Sequence, residues 1–217
     1  MSDREVQVWA FIESLIHIPE AQEAGADGLF ILPDGDLLPP FEDTPAETRS
    51  RLRRMAEAWG GGDIALSASL AAVDPLLLCQ TAALCRLHWA IRAESLPVPL
   101  PDLRRELKRV VQEERLQERV AEVPGLVGIP PPLPESDTRE QELEELRGWD
   151  LLFVPPKWVL PLSALEILSL PPLFVLLPES QPESQEEIPV LVALGVAGLI
   201  VPLSAVADAK NRIREQE

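Results

Sequence analysis

Lys157 is one of three lysines in this chain of 217 residues, and it directly follows an apolar run and two prolines in Val154-Pro-Pro-Lys-Trp158. The other two, Lys108 and Lys210, fall on charged stretches of helical spacing. A lysine at the end of a strand condenses with a carbonyl substrate once its amine is desolvated, and a nearby carboxylate moves the proton. Arg92 and Glu94, late in the segment His88-Trp-Ala-Ile-Arg-Ala-Glu94, supply a carboxylate-binding cation and that general base. The competing assignments are a loop lysine paired with Glu179 or an aspartate, and an interior Arg92–Glu94 ion pair.

A second constellation is all carboxylate. Glu13 with Asp34 or Asp36 would hold Mg²⁺ over an oxyacid, since hard cations take oxygen ligands. Solvated loop carboxylates of an acidic protein are the competing description. Ser67, Ser69, Glu179 and Ser204 are the candidates for substrate binding. Two histidines and two cysteines with no cluster argue against zinc. Cys79 and Cys85 stand six apart on one helical stretch, too far to bridge, and are expected to be small buried residues. Mg²⁺ is therefore the one cofactor suggested.

A formal charge of −17 argues against nucleic acid, whose phosphates attract basic surfaces. No apolar run approaches the ~20 residues of a membrane helix. The nearest, 190–203, is broken by Gly195, Gly198 and Pro202. Met1 to Val6 is polar and charged, unlike a signal peptide. The expectation is a soluble cytoplasmic protein that meets a small molecule or a protein partner, with a homodimer as one option.

The elements that would position these residues are marked by apolar runs ending in proline. Five occur: Gly28 to Pro33, Gly125 to Pro130, Asp150 to Pro155, Pro172 to Pro178 and Gly198 to Pro202. Near-continuous apolar character fits strands buried on both faces, and proline ends a hydrogen-bonded ladder. Eight strands are expected at Val6–Ile12, Leu29–Leu32, Asp63–Ser69, His88–Glu94, Leu126–Ile129, Leu151–Val154, Leu173–Leu177 and Gly198–Val201. Helices are expected at Pro19–Ala24, Thr44–Trp59, Asp74–Arg86, Asp102–Glu122 and Thr138–Trp149. Further short helices follow strands six and seven, one capped by Ser163 and one from Pro189 to Leu194. A last one, capped by Ser204, runs to Arg214.

Eight strand–helix units predict a single (βα)8 TIM barrel spanning residues 1–217, a parallel eight-stranded α/β fold. Helices cover the outward strand faces, so polar residues late in a strand should point inward. In strand four Trp89, Ile91 and Ala93 share one face, and His88, Ala90, Arg92 and Glu94 the other. The same alternation nominates Glu13, Asp34, Ser67, Ser69 and Glu179, with Asp36 and Ser204 just beyond their strands. His88 opens its strand, at the end away from the chemistry, and takes a structural role.

The segments Glu23 to Phe30, Val73 to Ile91 and Asp150 to Lys157 resemble the scaffold of phosphoribosylanthranilate isomerase. That resemblance implies a small phosphate-binding barrel, but its functional positions are replaced. The family's catalytic cysteine ends strand one, where Trp9-Ala10-Phe11 stands. Its general-acid aspartate ends strand six, at Val154-Pro155. Its phosphate-binding glycines give way to Leu177-Pro-Glu-Ser180 and Val201-Pro-Leu-Ser204. Residues 172–209, with Leu194 to Ala205, resemble the end of the isocitrate lyase and phosphoenolpyruvate mutase family. The strand-three aspartates that bind Mg²⁺ there would fall near Ser67-Ala-Ser69.

Prolines and apolar residues at the strand ends point first to a pseudoenzyme, a degenerate metabolic barrel that is non-catalytic or partner-dependent. The alternatives are a lyase or aldolase on a small oxo-acid, using Lys157 or a Glu13/Asp36 metal site, and an acidic module that binds and stabilises a partner enzyme.

Overall fold

The computed structural model describes residues 5–32, 45–60, 62–67, 75–92, 96, 98–118, 120–129, 146–163, 170–177 and 186–216. The chain begins β1 (Gln7–Ile12), α1 (Ile18–Glu23), β2 (Gly28–Ile31), α2 (Pro45–Trp59) and β3 (Asp63–Ser67). It continues α3 (Pro75–Ala82), β4 (Arg86–Arg92), α4 (Leu100–Leu116), β5 (Gly125–Ile129) and β6 (Leu151–Val154). It ends α5 (Pro156–Ser163), β7 (Leu173–Leu176), α6 (Ile188–Ala193), β8 (Gly198–Pro202) and α7 (Val206–Arg214). The eight strands pair in parallel in chain order, and β8 closes on β1 with Phe11 opposite Pro202. The fold is a TIM barrel, as the strand–helix alternation predicts.

Alternation along each strand divides the apolar side chains into two layers. Val8, Ala10, Leu29, Ile64, Trp89 and Leu126 belong to the outer layer, packed beneath the helices. The inner layer takes one buried residue from every strand: Trp9, Phe30, Ala65 and Ala90 from the first four, then Val127, Phe153, Phe174 and Ile200. Ala65 and Ala90 leave volume on neighbouring strands that rings from other strands fill. Phe30 meets Phe153 edge-on at 5.0 Å between centroids, and Trp9 meets Phe153 edge-on at 5.9 Å. The barrel centre is packed aromatic core, not a pore.

Two aspartates pin strand starts. Asp27 Oδ2 accepts the Val8 N–H at 2.8 Å, and its Oδ1 meets Lys210 Nζ of α7 at 2.6 Å. Asp150 repeats the device: Oδ2 accepts the Leu126 N–H at 2.7 Å, and Oδ1 lies 3.0 Å from Arg104 of α4. Each carboxylate satisfies an end-of-ladder amide and ties a helix to the sheet. The turns into β2 and β8 begin at Gly25 and Gly195, at φ +76° and +78°, a left-handed conformation that ends the preceding helix.

Several helix ends differ from expectation. α3 stops at Ala82 rather than Arg86, because Leu84 and Cys85 turn their N–H groups back to the Thr81 carbonyl. Arg86 already belongs to β4. α4 starts two residues early at Leu100 and ends at Leu116, with Glu118 at φ 59° beyond it. Ser163 is not an N-cap: it closes α5, its hydroxyl donating to the Val159 carbonyl at 2.7 Å. Ser204 does not cap α7 either; it sits inside a 3₁₀ turn, and Ala205 holds the cap position. Thr44 and positions 138–145 of the helix expected after β5 lie outside the described residues.

Candidate functional site

Because all strands run the same way, their C-terminal ends share one mouth, the face where barrel enzymes place their chemistry. Ala90 is in the inner layer, so Arg92, two residues on, carries the same inward phase at the rim. Ala65 places Ser67 likewise, and Ser67 is half-buried. Glu13 follows β1 two residues beyond Phe11 and is exposed. Lys157 is exposed in the first turn of α5, and Ser204 is exposed immediately after β8. Glu13, Ser67, Arg92, Lys157 and Ser204 thus stand at or just beyond the C-terminal ends of five different strands. Asp34, Asp36, Ser69, Glu94 and Glu179 lie outside the described residues. On β7 the inward residues are Phe174 and Leu176.

Beneath these polar groups the rim is apolar. Phe11, Ile129 and Leu176 pack against the inner layer, and Pro202 is buried at the end of β8. Among the described residues Arg92, Lys157 and Glu13 make no ion pair. Arg92 is an exposed cation at the end of β4, at the same end of the barrel as this apolar rim. The Mg²⁺ donor set is all carboxylate, which suits the ion chemically. Of that set only Glu13 is described, and no group of three or more His, Cys, Asp or Glu able to hold a metal occurs among the described residues. No helix among them is long and apolar enough to cross a membrane.

The opposite end of the barrel holds a cavity of about 490 Å³ that the sequence did not suggest. Glu5, Gln7, Asp63 and His88 line one arc, from β1, β3 and β4. Leu151, Pro172, Phe174 and Ala197 line the other, from β6 to β8, and Trp9 joins them at the floor. His88 Nε2 lies 3.0 Å from Asp63 Oδ1. A carboxylate only accepts, so Nε2 carries the proton and donates it. His88 Nδ1 is buried with no hydrogen-bond partner among the described residues. Both ring nitrogens are thereby withdrawn from a ligand, which agrees with the structural role expected for His88. Trp9 Nε1 donates to Gln7 Oε1 at 3.0 Å.

Rings fit at this end because glycines face them. Trp9, His88 and Phe174 stand in register opposite Gly28, Gly125 and Gly198, respectively, on the next strand. A Cβ on any of the three glycines would overlap the facing ring. The available signal was glycine at the head of three apolar runs, meaningful only once the register is known.

No family model matches the chain, and no curated protein matches it. Solved structures do share its fold. A 2,3-dimethylmalate lyase, a PEP mutase/isocitrate lyase superfamily member, is similar with a TM-score of 0.58 and 15% identity, covering 99% of this chain and 82% of that one. A phosphonopyruvate hydrolase in complex with oxalate and Mg²⁺ is similar at 0.60 and 12%, covering 97% and 80%. Dihydropteroate synthase from Xanthomonas albilineans, with 4-aminobenzoic acid, is similar at 0.59 and 14%, covering 98% and 91%. The likeness noted over residues 172–209 thus extends to the fold of nearly the whole chain. These comparisons do not show a phosphoribosylanthranilate isomerase assignment. At such identities the likeness establishes the architecture alone.

Proposed function

We propose that the chain is a carbon–carbon lyase of aldolase type that binds a small oxo-acid in the C-terminal mouth. Arg92 is the observation that carries the proposal. It is an inward-phased guanidinium at a strand end, with no partner among the described residues, suited to a bidentate grip on a carboxylate. The lyase and hydrolase folds named above add support, the hydrolase being one that binds oxalate with Mg²⁺.

Arg92 holds the substrate carboxylate and Lys157 Nζ condenses with the ketone, releasing water and leaving a protonated imine. The imine takes up the electron pair of the breaking carbon–carbon bond. Glu94 accepts the proton of the hydroxyl that becomes the product carbonyl, and Ser67 and Ser204 donate hydrogen bonds at the rim. If Mg²⁺ supplies the electrophile instead, Glu13, Asp34 and Asp36 are the residues that would hold it.

Borohydride reduction in the presence of pyruvate or oxaloacetate, followed by mass spectrometry, should leave an adduct on Lys157. No adduct with either acid, and no cleavage of a 4-hydroxy-2-oxo acid with or without Mg²⁺, overturns the lyase reading. The apolar rim of Phe11, Ile129, Leu176 and Pro202 favours a second reading, a non-catalytic barrel that works through a protein partner. It requires that negative result together with a partner protein that co-purifies with the chain.

A further inference from the structure

The cavity at the N-terminal end of the barrel has the volume of a small-molecule site and a lining divided by polarity. We propose that it binds a small organic ammonium ion, with the charged head toward Glu5 and Asp63 and the alkyl body against Leu151, Pro172 and Phe174. Among the described residues the lining contains two carboxylates and neither lysine nor arginine. Glu5 has no partner among the described residues. Asp63 Oδ1 is engaged by His88, while among the described residues Oδ2 has only a long 3.5 Å contact to Arg86, whose side chain is 74% exposed. Carboxylate charge therefore remains for a cation.

The strand order puts the carboxylates and the hydrocarbon on different arcs. Glu5 leads into β1 and Asp63 opens β3, while the apolar residues lie in or just before the contiguous strands β6, β7 and β8. Trp9 and Phe174 add aromatic rings, 4.7 Å apart between centroids, which attract cations as well as alkyl groups. Because the His88 nitrogens are already committed or enclosed, the cavity is suited to binding and not to proton transfer. Gln7 Oε1 is held by Trp9, which leaves the amide NH₂ as the remaining neutral donor on that arc.

Calorimetry on the full chain with n-butylamine, 1-butanol and butyrate tests this directly. Butylamine should bind, and the alcohol and the acid should not. Glu5→Gln, a change at an exposed position, should weaken butylamine by about twofold to fivefold without lowering the melting temperature. Ala197→Leu, which puts a larger side chain into the cavity, should abolish binding. Equal binding of butanol or preferential binding of butyrate overturns the charge assignment. No heat with millimolar butylamine, or unchanged affinity in both variants, overturns the site. Neither variant touches the C-terminal mouth, so turnover of an oxo-acid should persist in both; its absence from the native chain bears only on the lyase proposal.

Discussion

The imidazole of His88 occupies the space where Gly125, its register partner on β5, would carry a side chain. The same ring donates to Asp63 on β3, so one residue spans three neighbouring strands at the barrel's lower end. Gly125→Ala must push the ring away and break its bond to Asp63. Overpacking of this kind costs about 1–3 kcal/mol. The loss should appear as a lower urea midpoint and be partly recovered in Gly125→Ala/His88→Ala, since the clash is then gone. Gly25→Ala is a contrasting control. Nothing lies near its missing side chain, so its cost of about 1 kcal/mol comes from the left-handed φ alone and His88→Ala will not relieve it.

A second prediction concerns Asp27, whose carboxylate both accepts a strand amide and pairs with Lys210. Asp27→Ala orphans the Val8 N–H and should cost about 2 kcal/mol. Asp27→Asn keeps an acceptor for that amide and loses only charge. Lys210→Met should cost less than about 1 kcal/mol, the range of a partly exposed ion pair. Equilibrium unfolding of the three variants ranks them. Equal losses in Asp27→Ala and Lys210→Met would show that the ion pair, and not the amide, dominates.

Much of this architecture was legible because strand signals are local. Continuous apolar runs, such as Leu151 to Val154, identify themselves, and the alternation in β4 correctly separates Trp89 from Ala90. Helix ends were less legible because they depend on competing hydrogen bonds. Ser163 and Ser204 look like caps, but the hydroxyl of Ser163 bonds back within its own helix and Ser204 lies within a 3₁₀ turn. The candidate site was readable only as a list of strand ends, since phase along one strand does not determine how loops from five strands approach one another. The lower cavity was illegible for another reason: it depends on which ring faces which glycine, a property of register between strands distant in sequence.

Cys85 supplies a pH-dependent prediction. Burial and, secondarily, the charge of Asp63 push its thiol up to about 11, from 9.0. The unfolded chain would ionise near 9.0, so below that pH both states keep the proton and the full contribution to stability is present. Above it the unfolded state loses a proton that the folded state retains, and stability falls as pH rises toward about 11. The melting temperature should decline more steeply over that window in the native chain than in Cys85→Ala. The buried thiol should also resist alkylation at pH 8 until denaturant is added. Rapid labelling of Cys85 in the folded protein would contradict the enclosure.

Arg92 should affect substrate binding far more than folding. Its side chain is exposed and pairs with nothing among the described residues, so Arg92→Gln and Arg92→Lys should leave the melting temperature unchanged. A charge-assisted bond to a carboxylate is worth about 1.5–3 kcal/mol, which corresponds to roughly a tenfold to hundredfold rise in KM for an oxo-acid on Arg92→Gln. Lysine restores the charge without the planar fork, so Arg92→Lys should recover only part of the loss. If Arg92 instead forms an interior ion pair with Glu94, removing it destabilises the fold, and Arg92→Gln/Glu94→Gln recovers stability. A lower melting temperature with an unchanged KM would therefore return Arg92 to that structural role and leave the mouth without its carboxylate anchor.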